Sequence, residues 1–168
     1  LHLFIGDYKN LFKVWQYGLD KGFFYHLHAH GPKSKTLKSK KEYPALVKEN
    51  NRLRKEAQKN SKPLLEVRKP DHYKKGKKYP VLIVLHGYGR NNKSMKPWFR
   101  SPGIYRDYLI AFFQSSRIVG KDAFYWQVGS QSRKDIKTCF TQLIEQYPVD
   151  TSKIVVSGMS NGAQAALD

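Results

Sequence analysis

The stretch Lys153-Ile154-Val155-Val156-Ser157-Gly158-Met159-Ser160-Asn161-Gly162-Ala163-Gln164-Ala165-Ala166-Leu167 decides how the 168-residue chain is read. Ile154-Val155-Val156 is a β-branched apolar run, as in a strand covered on both faces. Ala163 to Leu167 is built of helix formers. Between them lies Gly158-Met159-Ser160-Asn161-Gly162, a G-x-S-x-G pattern where a strand must turn sharply into a helix. Such a turn strains its central residue and stands that side chain clear at the carboxyl edge of the sheet. The flanking Gly158 and Gly162 remove Cβ atoms that would collide with the neighbouring strand and helix. The helix start beyond presents backbone N–H groups, Asn161 first, to a developing negative charge.

Tyr79-Pro80-Val81-Leu82-Ile83-Val84-Leu85 and Tyr108-Leu109-Ile110-Ala111-Phe112-Phe113 are two more continuous apolar runs. A helical pattern at 135–147 puts Ile136, Phe140, Leu143 and Ile144 on one face. Upstream, Pro63 to Val67 reads as a short strand, and Pro70 to Tyr73 with Gly76 as a turn. Buried strands alternating with helices imply an α/β fold with a parallel sheet. The first buried strand runs into His86-Gly87-Tyr88-Gly89, a glycine-rich loop leaving the same edge as the Ser160 turn. A backbone N–H from that loop, with the N–H of Asn161, would make a two-donor oxyanion hole.

From about Pro63 to Asp168 these residues resemble the α/β-hydrolase serine esterases, in particular the carboxylesterase and phospholipase-like branch. The run Tyr147 to Gly162 is similar to that family's approach to its nucleophile, Tyr79–Gly89 to its strand and oxyanion loop, and Phe112 to Ser116 to the close of its next strand. Phe124-Tyr125-Trp126 resembles the aromatic segment before the long helix. The resemblance implies the N-terminal part of an α/β-hydrolase parallel sheet, preceded by a short helical segment. It makes Ser160 the nucleophile and the Tyr88 and Asn161 N–H groups the oxyanion hole. His86, Gly87, Gly89, Gly158 and Gly162 are then motif residues, and Trp126 is expected to line the acyl or leaving-group pocket. The implied substrate is a small carboxylic ester, with no cofactor and no metal. A peptidase or an acyltransferase would share the same elbow and loop. A non-catalytic scaffold with a basic surface is the alternative from outside the enzymes.

In that family the order is nucleophile, acid, histidine. All six histidines here (2, 26, 28, 30, 72 and 86) precede Ser160, and His86 matches a structural position. Asp168 is too near the elbow to be the usual acid. The chain opens at Leu1 within an amphipathic pattern and stops within an apparent helix, so a piece cut at both ends is expected. The base and its carboxylate would then lie further on, and the 168 residues alone should be nearly inactive.

The charge looks at first like a different clue. The chain carries 31 Lys+Arg against 13 Asp+Glu, a net charge of +18. Residues 31–80 hold 17 of the basic residues against five acids, two-thirds of the excess. The clusters at 33–41, 52–55 and 74–78 are read as a solvated loop, a polar helix over 47–58 and a turn. They share no element and few aromatics, so a solvated surface is expected and not a specific nucleic-acid site. At 40% hydrophobic the chain is too apolar to be wholly disordered. It has no run of about 18 apolar residues that could span a membrane. The single cysteine, Cys139, excludes a disulfide scaffold and a zinc finger.

The expected organisation is a helical hairpin over 1–30, a basic linker with a polar helix over 31–60, and the hydrolase-like part over 61–168. In the hairpin, a turn at Gly6-Asp7-Tyr8 precedes a helix to about Asp20, with Leu11, Val14, Trp15 and Leu19 as its apolar stripe. Residues 1–25 resemble the closing half of a tetratricopeptide repeat, departing from it at Leu11 and Gly18. That resemblance implies a possible protein partner for this segment. His26, His28 and His30 alternate, but no nearby Cys, Asp or Glu completes a ligand set, so no metal is expected. The location expected is cytoplasmic.

Overall fold

The apolar run at 79–85 becomes an inner strand of a four-stranded sheet in the computed structural model, which describes residues 2–25 and 32–168. The strands are β1 (Leu64–Arg68), β2 (Tyr79–Leu85), β3 (Leu109–Gln114), β4 (Ile118–Gly120), β5 (Ala123–Phe124) and β6 (Val149–Gly158). In the sheet the order is β1-β3-β2-β6. β2 runs parallel to both β3 and β6, while β1 is antiparallel to β3. The sheet is therefore mixed, where an all-parallel one is expected from the sequence. The reason lies in residues 69–78, which contain turns and no helix. This link carries the chain past β3 from β1 to β2, and with no crossover helix it returns in the opposite sense, which leaves β1 antiparallel to β3.

Both faces of β2 are covered, which is why its sequence is apolar without alternation. Val81, Ile83 and Leu85 share one core with Leu109, Ala111, Phe113, Trp126, Cys139, Leu143 and Ala165. Leu82 and Val84 share the other with Met95, Ile110 and Phe112. In β6 regular pairing begins at Ile154, after an irregularity in which Asp150 accepts the Ser152 N–H at 3.1 Å. Leu85 and Gly158 are register partners, so β2 and β6 end level at one edge.

The helices are α1 (His2–Ile5), α2 (Tyr8–Asp20), α3 (Pro32–Lys38), α4 (Tyr43–Asn60), α5 (Asn92–Met95), α6 (Pro102–Asp107), α7 (Ser130–Gln146) and α8 (Asn161–Leu167). The inward face of α7 holds three of the four expected residues and extends onto polar ones. Ser132, Asp135, Cys139 and Leu143 are buried, Ile136 and Phe140 pack beside them, and Ile144 is exposed. The polar part has its partner in Ser116: Asp135 accepts the Ser116 N–H at 2.8 Å and the Ser116 hydroxyl at 2.8 Å. Burial, with the nearby Asp135 carboxylate second, pushes the Cys139 thiol up to about 12.

The chain divides into two units, residues 1–60 with 119–121, and residues 61–118 with 122–168. In the first, Phe12, Trp15, Leu19, Leu37 and Leu46 form their own core. Asp7 caps α2 by accepting the Asn10 N–H at 3.2 Å, and Gly22, at φ +74°, ends the turn behind it. Val14, expected on the apolar stripe, is exposed, and Phe12 takes an inward place. The lysine cluster at 33–41 is no solvated loop over its first part. Pro32 occupies the first turn of α3, where its missing N–H is harmless, and Leu37 anchors that helix in the core. α4 begins earlier than the expected polar helix, at Tyr43. Its buried Asn50 amide bonds both the N–H and the C=O of Tyr25 at 2.9 Å. His26, His28 and His30 lie outside the described residues. Among the described residues no cluster of three or more His, Cys, Asp or Glu could hold a metal. No described helix is long and apolar enough to cross a membrane.

Candidate active site

Ser160 is the residue where β6 hands over to α8, and its backbone is strained. Its φ of +51° lies in a region that side-chain-bearing residues rarely adopt. Only one other non-glycine residue among those described, Asp122, has a positive φ. The side chain of Ser160 is exposed at the carboxyl edge. The strain is held in place by close packing on either side. A Cβ on Gly158 would lie 2.4 Å from the Gly162 carbonyl, and one on Gly162 would lie 2.4 Å from the Leu85 oxygen. Neither contact could be relieved by a side-chain rotation, because each meets backbone. Both glycines are thus required by the approach of β6, α8 and β2.

The loop after β2 meets the elbow directly. The Met159 N–H donates to the Leu85 oxygen at 3.2 Å, and a Cβ on Gly87 would come 3.3 Å from the Met159 oxygen. Gly89, at φ +69°, shapes the turn that follows. Its N–H donates to the Phe124 oxygen at 2.8 Å, and the Phe124 N–H returns to the Arg90 oxygen at 3.0 Å. Tyr88 therefore sits in a loop pinned on both sides, its half-exposed ring 5.9 Å from that of Tyr125. Asn161, at the first helical position of α8, has an N–H without an intrahelical acceptor. The sequence-expected Ser160, Tyr88 and Asn161 are thus brought to one sheet edge.

His86 is buried beneath this edge, with a partner at each ring nitrogen. Nδ1 lies 2.9 Å from the Gly87 oxygen, and Nε2 accepts the Ser115 N–H at 3.2 Å. Those partners require the Nδ1–H tautomer, leaving no lone pair for a proton from Ser160. Burial pushes its pKa down to about 4, against a smaller opposing effect of the Gly87 hydrogen bond. Trp126 is 1% exposed, tilted against the His86 ring with centroids 5.1 Å apart. Its indole N–H donates to the His86 oxygen at 3.0 Å, and its backbone N–H to Asn161 Oδ1 at 2.6 Å. Asp168 is engaged elsewhere: it accepts the Gly129 N–H at 2.7 Å and pairs with Arg133 at 2.6 Å.

Sequence reasoning missed the parts of the site that depend on distant partners. Ser115, Ser116 and the Asn161 side chain are polar residues beside apolar runs, and Asp135 heads a helical pattern. Those are faint signals that a polar group is being buried, and nothing in the sequence pairs them.

Comparisons with known proteins add little. No family profile and no curated protein matches the chain. Among solved structures it is similar to the 2.75 Å crystal structure of an uncharacterized protein from Bacillus cereus ATCC 10987. The two are 23% identical with a TM-score of 0.48, over 99% of this chain and 52% of that one. The chain thus spans about half the length of that protein.

Proposed function

We propose that this chain carries the nucleophile half of an α/β-hydrolase serine esterase. The observation that carries the reading is the strained Ser160, exposed between two glycines that tolerate no Cβ and adjacent to the loop that follows β2. A position held at that conformational cost fits a reacting group better than a plain turn. In the proposed reaction Ser160 Oγ attacks the ester carbonyl carbon as a base takes its proton. The Tyr88 and Asn161 N–H groups receive the oxyanion. The alkoxide leaves with the proton, and water then attacks the acyl-serine to release the acid. The base is not His86, whose ring nitrogens are both engaged. It and its carboxylate partner come, on this reading, from chain beyond these residues. The protein partner for residues 1–25 and the cytoplasmic location belong to the same proposal.

The test is turnover of a short-chain p-nitrophenyl ester by the full-length protein and its Ser160→Ala variant. Loss of turnover by about 10³-fold or more is expected. Undiminished turnover overturns the proposal. Faster release from the matching p-nitroanilide would instead point to a peptidase of the same fold.

A further inference from the structure

The segment 124–126 touches both halves of the candidate oxyanion hole, through hydrogen bonds to each and through ring contacts to the loop after β2. On the loop side, the Phe124 backbone exchanges hydrogen bonds with Gly89 and Arg90 at 2.8 and 3.0 Å. The Trp126 indole N–H reaches the His86 oxygen at 3.0 Å. On the elbow side, the Trp126 backbone N–H is taken by Asn161 Oδ1 at 2.6 Å. The carbonyl of His86 is also the atom 2.5 Å from where a Cβ on Gly162 would stand. Trp126 thus lies between the two loops, and Asn161, at the first position of α8, is anchored by its own side chain.

We infer that Asn161, through its side chain, and Trp126, through its indole N–H, are positioning residues that set the spacing of the Tyr88 and Asn161 backbone donors. The inference rests on the hydrolase reading and deepens it. Neither side chain needs to touch the substrate. An oxyanion donor is effective only at hydrogen-bond distance from where the charge develops, and a displacement near 1 Å has a large effect on rate. Trp126 is buried, and its ring packs on His86, so the expected pocket-lining role is replaced here by one that acts through the backbone. Trp126→Phe keeps most of the buried ring and deletes the indole donor. Asn161→Ala keeps the backbone N–H and deletes its anchor.

The experiment measures kcat and KM for p-nitrophenyl acetate on the full-length protein and both single variants and the double variant. Rates are normalised to sites titrated with a fluorophosphonate, so misfolded molecules do not count. Each single change should lower kcat per site about tenfold with KM unchanged, the mark of an interaction made in the transition state. Binding of phenylboronic acid, a tetrahedral mimic, should weaken by a similar factor. Because both act through one connection, the double variant should lose about tenfold as well, not a hundredfold. Unchanged kcat per titrated site, or effects that multiply, overturn the brace while leaving the esterase reading intact. A wild-type protein with neither turnover nor labelling at Ser160 overturns both.

Discussion

At the scale of single residues, His86 shows how a group that looks catalytic can be held inert. Its ring is buried, donates to one loop and accepts from another, and is neutral at physiological pH. The unfolded chain binds a proton here below about pH 6.5, whereas the folded chain resists it down to about 4. Between those limits the unfolded state holds more protons, so stability falls as pH falls and is fully present above 6.5. The loss through this window is about 3 kcal/mol. The His86 Cε1–H resonance should stay still between pH 8 and 5.5, while the urea midpoint drops below pH 6. A resonance titrating near 6.5 would show the ring to be solvated. Ser160 and its two glycines were readable from spacing alone, because close backbone approach needs specific residue types at fixed offsets. The bonds that hold His86 and Trp126 were not, because their partners lie 29 and 35 residues away in Ser115 and Asn161.

At the scale of elements, strands covered on both faces were the most legible part of the chain. β2 and β3 match their apolar runs closely, but β6, expected to be covered on both faces as well, leaves Val155 and Val156 half-exposed because nothing among the described residues pairs with its outer side. Helices were less so. α3 is lysine-rich with one apolar anchor, and a pattern needs more than Leu37 to show its period. In α7 the apolar part of the inward face was read, except for Ile144, but Ser132 and Asp135 read as polar surface until Ser116 is seen opposite. β6 carries a separate consequence. It lies at an end of the sheet order among the described residues, and Val155 and Val156 are half-exposed. An exposed apolar edge strand recruits other strands. The 168-residue chain should therefore self-associate, and Val156→Lys should shift it toward monomer in sedimentation velocity. Equal association of both chains would mean that the edge is covered.

At the scale of the whole molecule, the charge and the cores divide differently. The basic stretch that read as a connector is in good part helical, and its Leu37 and Leu46 close a core with Phe12, Trp15 and Leu19. The second unit has its own cores, around Trp126 and around Met95. Each unit thus holds a buried tryptophan, Trp15 in one and Trp126 in the other, so each has its own fluorescent reporter. With Trp98 and Trp126 both replaced by Phe, Leu46→Ala should lower the urea midpoint seen by Trp15, by an amount equivalent to about 2–4 kcal/mol. The transition seen by Trp126, with Trp15 and Trp98 both replaced by Phe, should hardly move. A common shift of both would make the two units one cooperative body.

Cys139 gives this architecture a clock. Its thiol is enclosed between α7 and the sheet, with no exposed surface and no partner cysteine in the chain. An alkylating reagent can reach it only when that helix lifts away from the strands. The rate of modification under native conditions therefore counts helix-opening events.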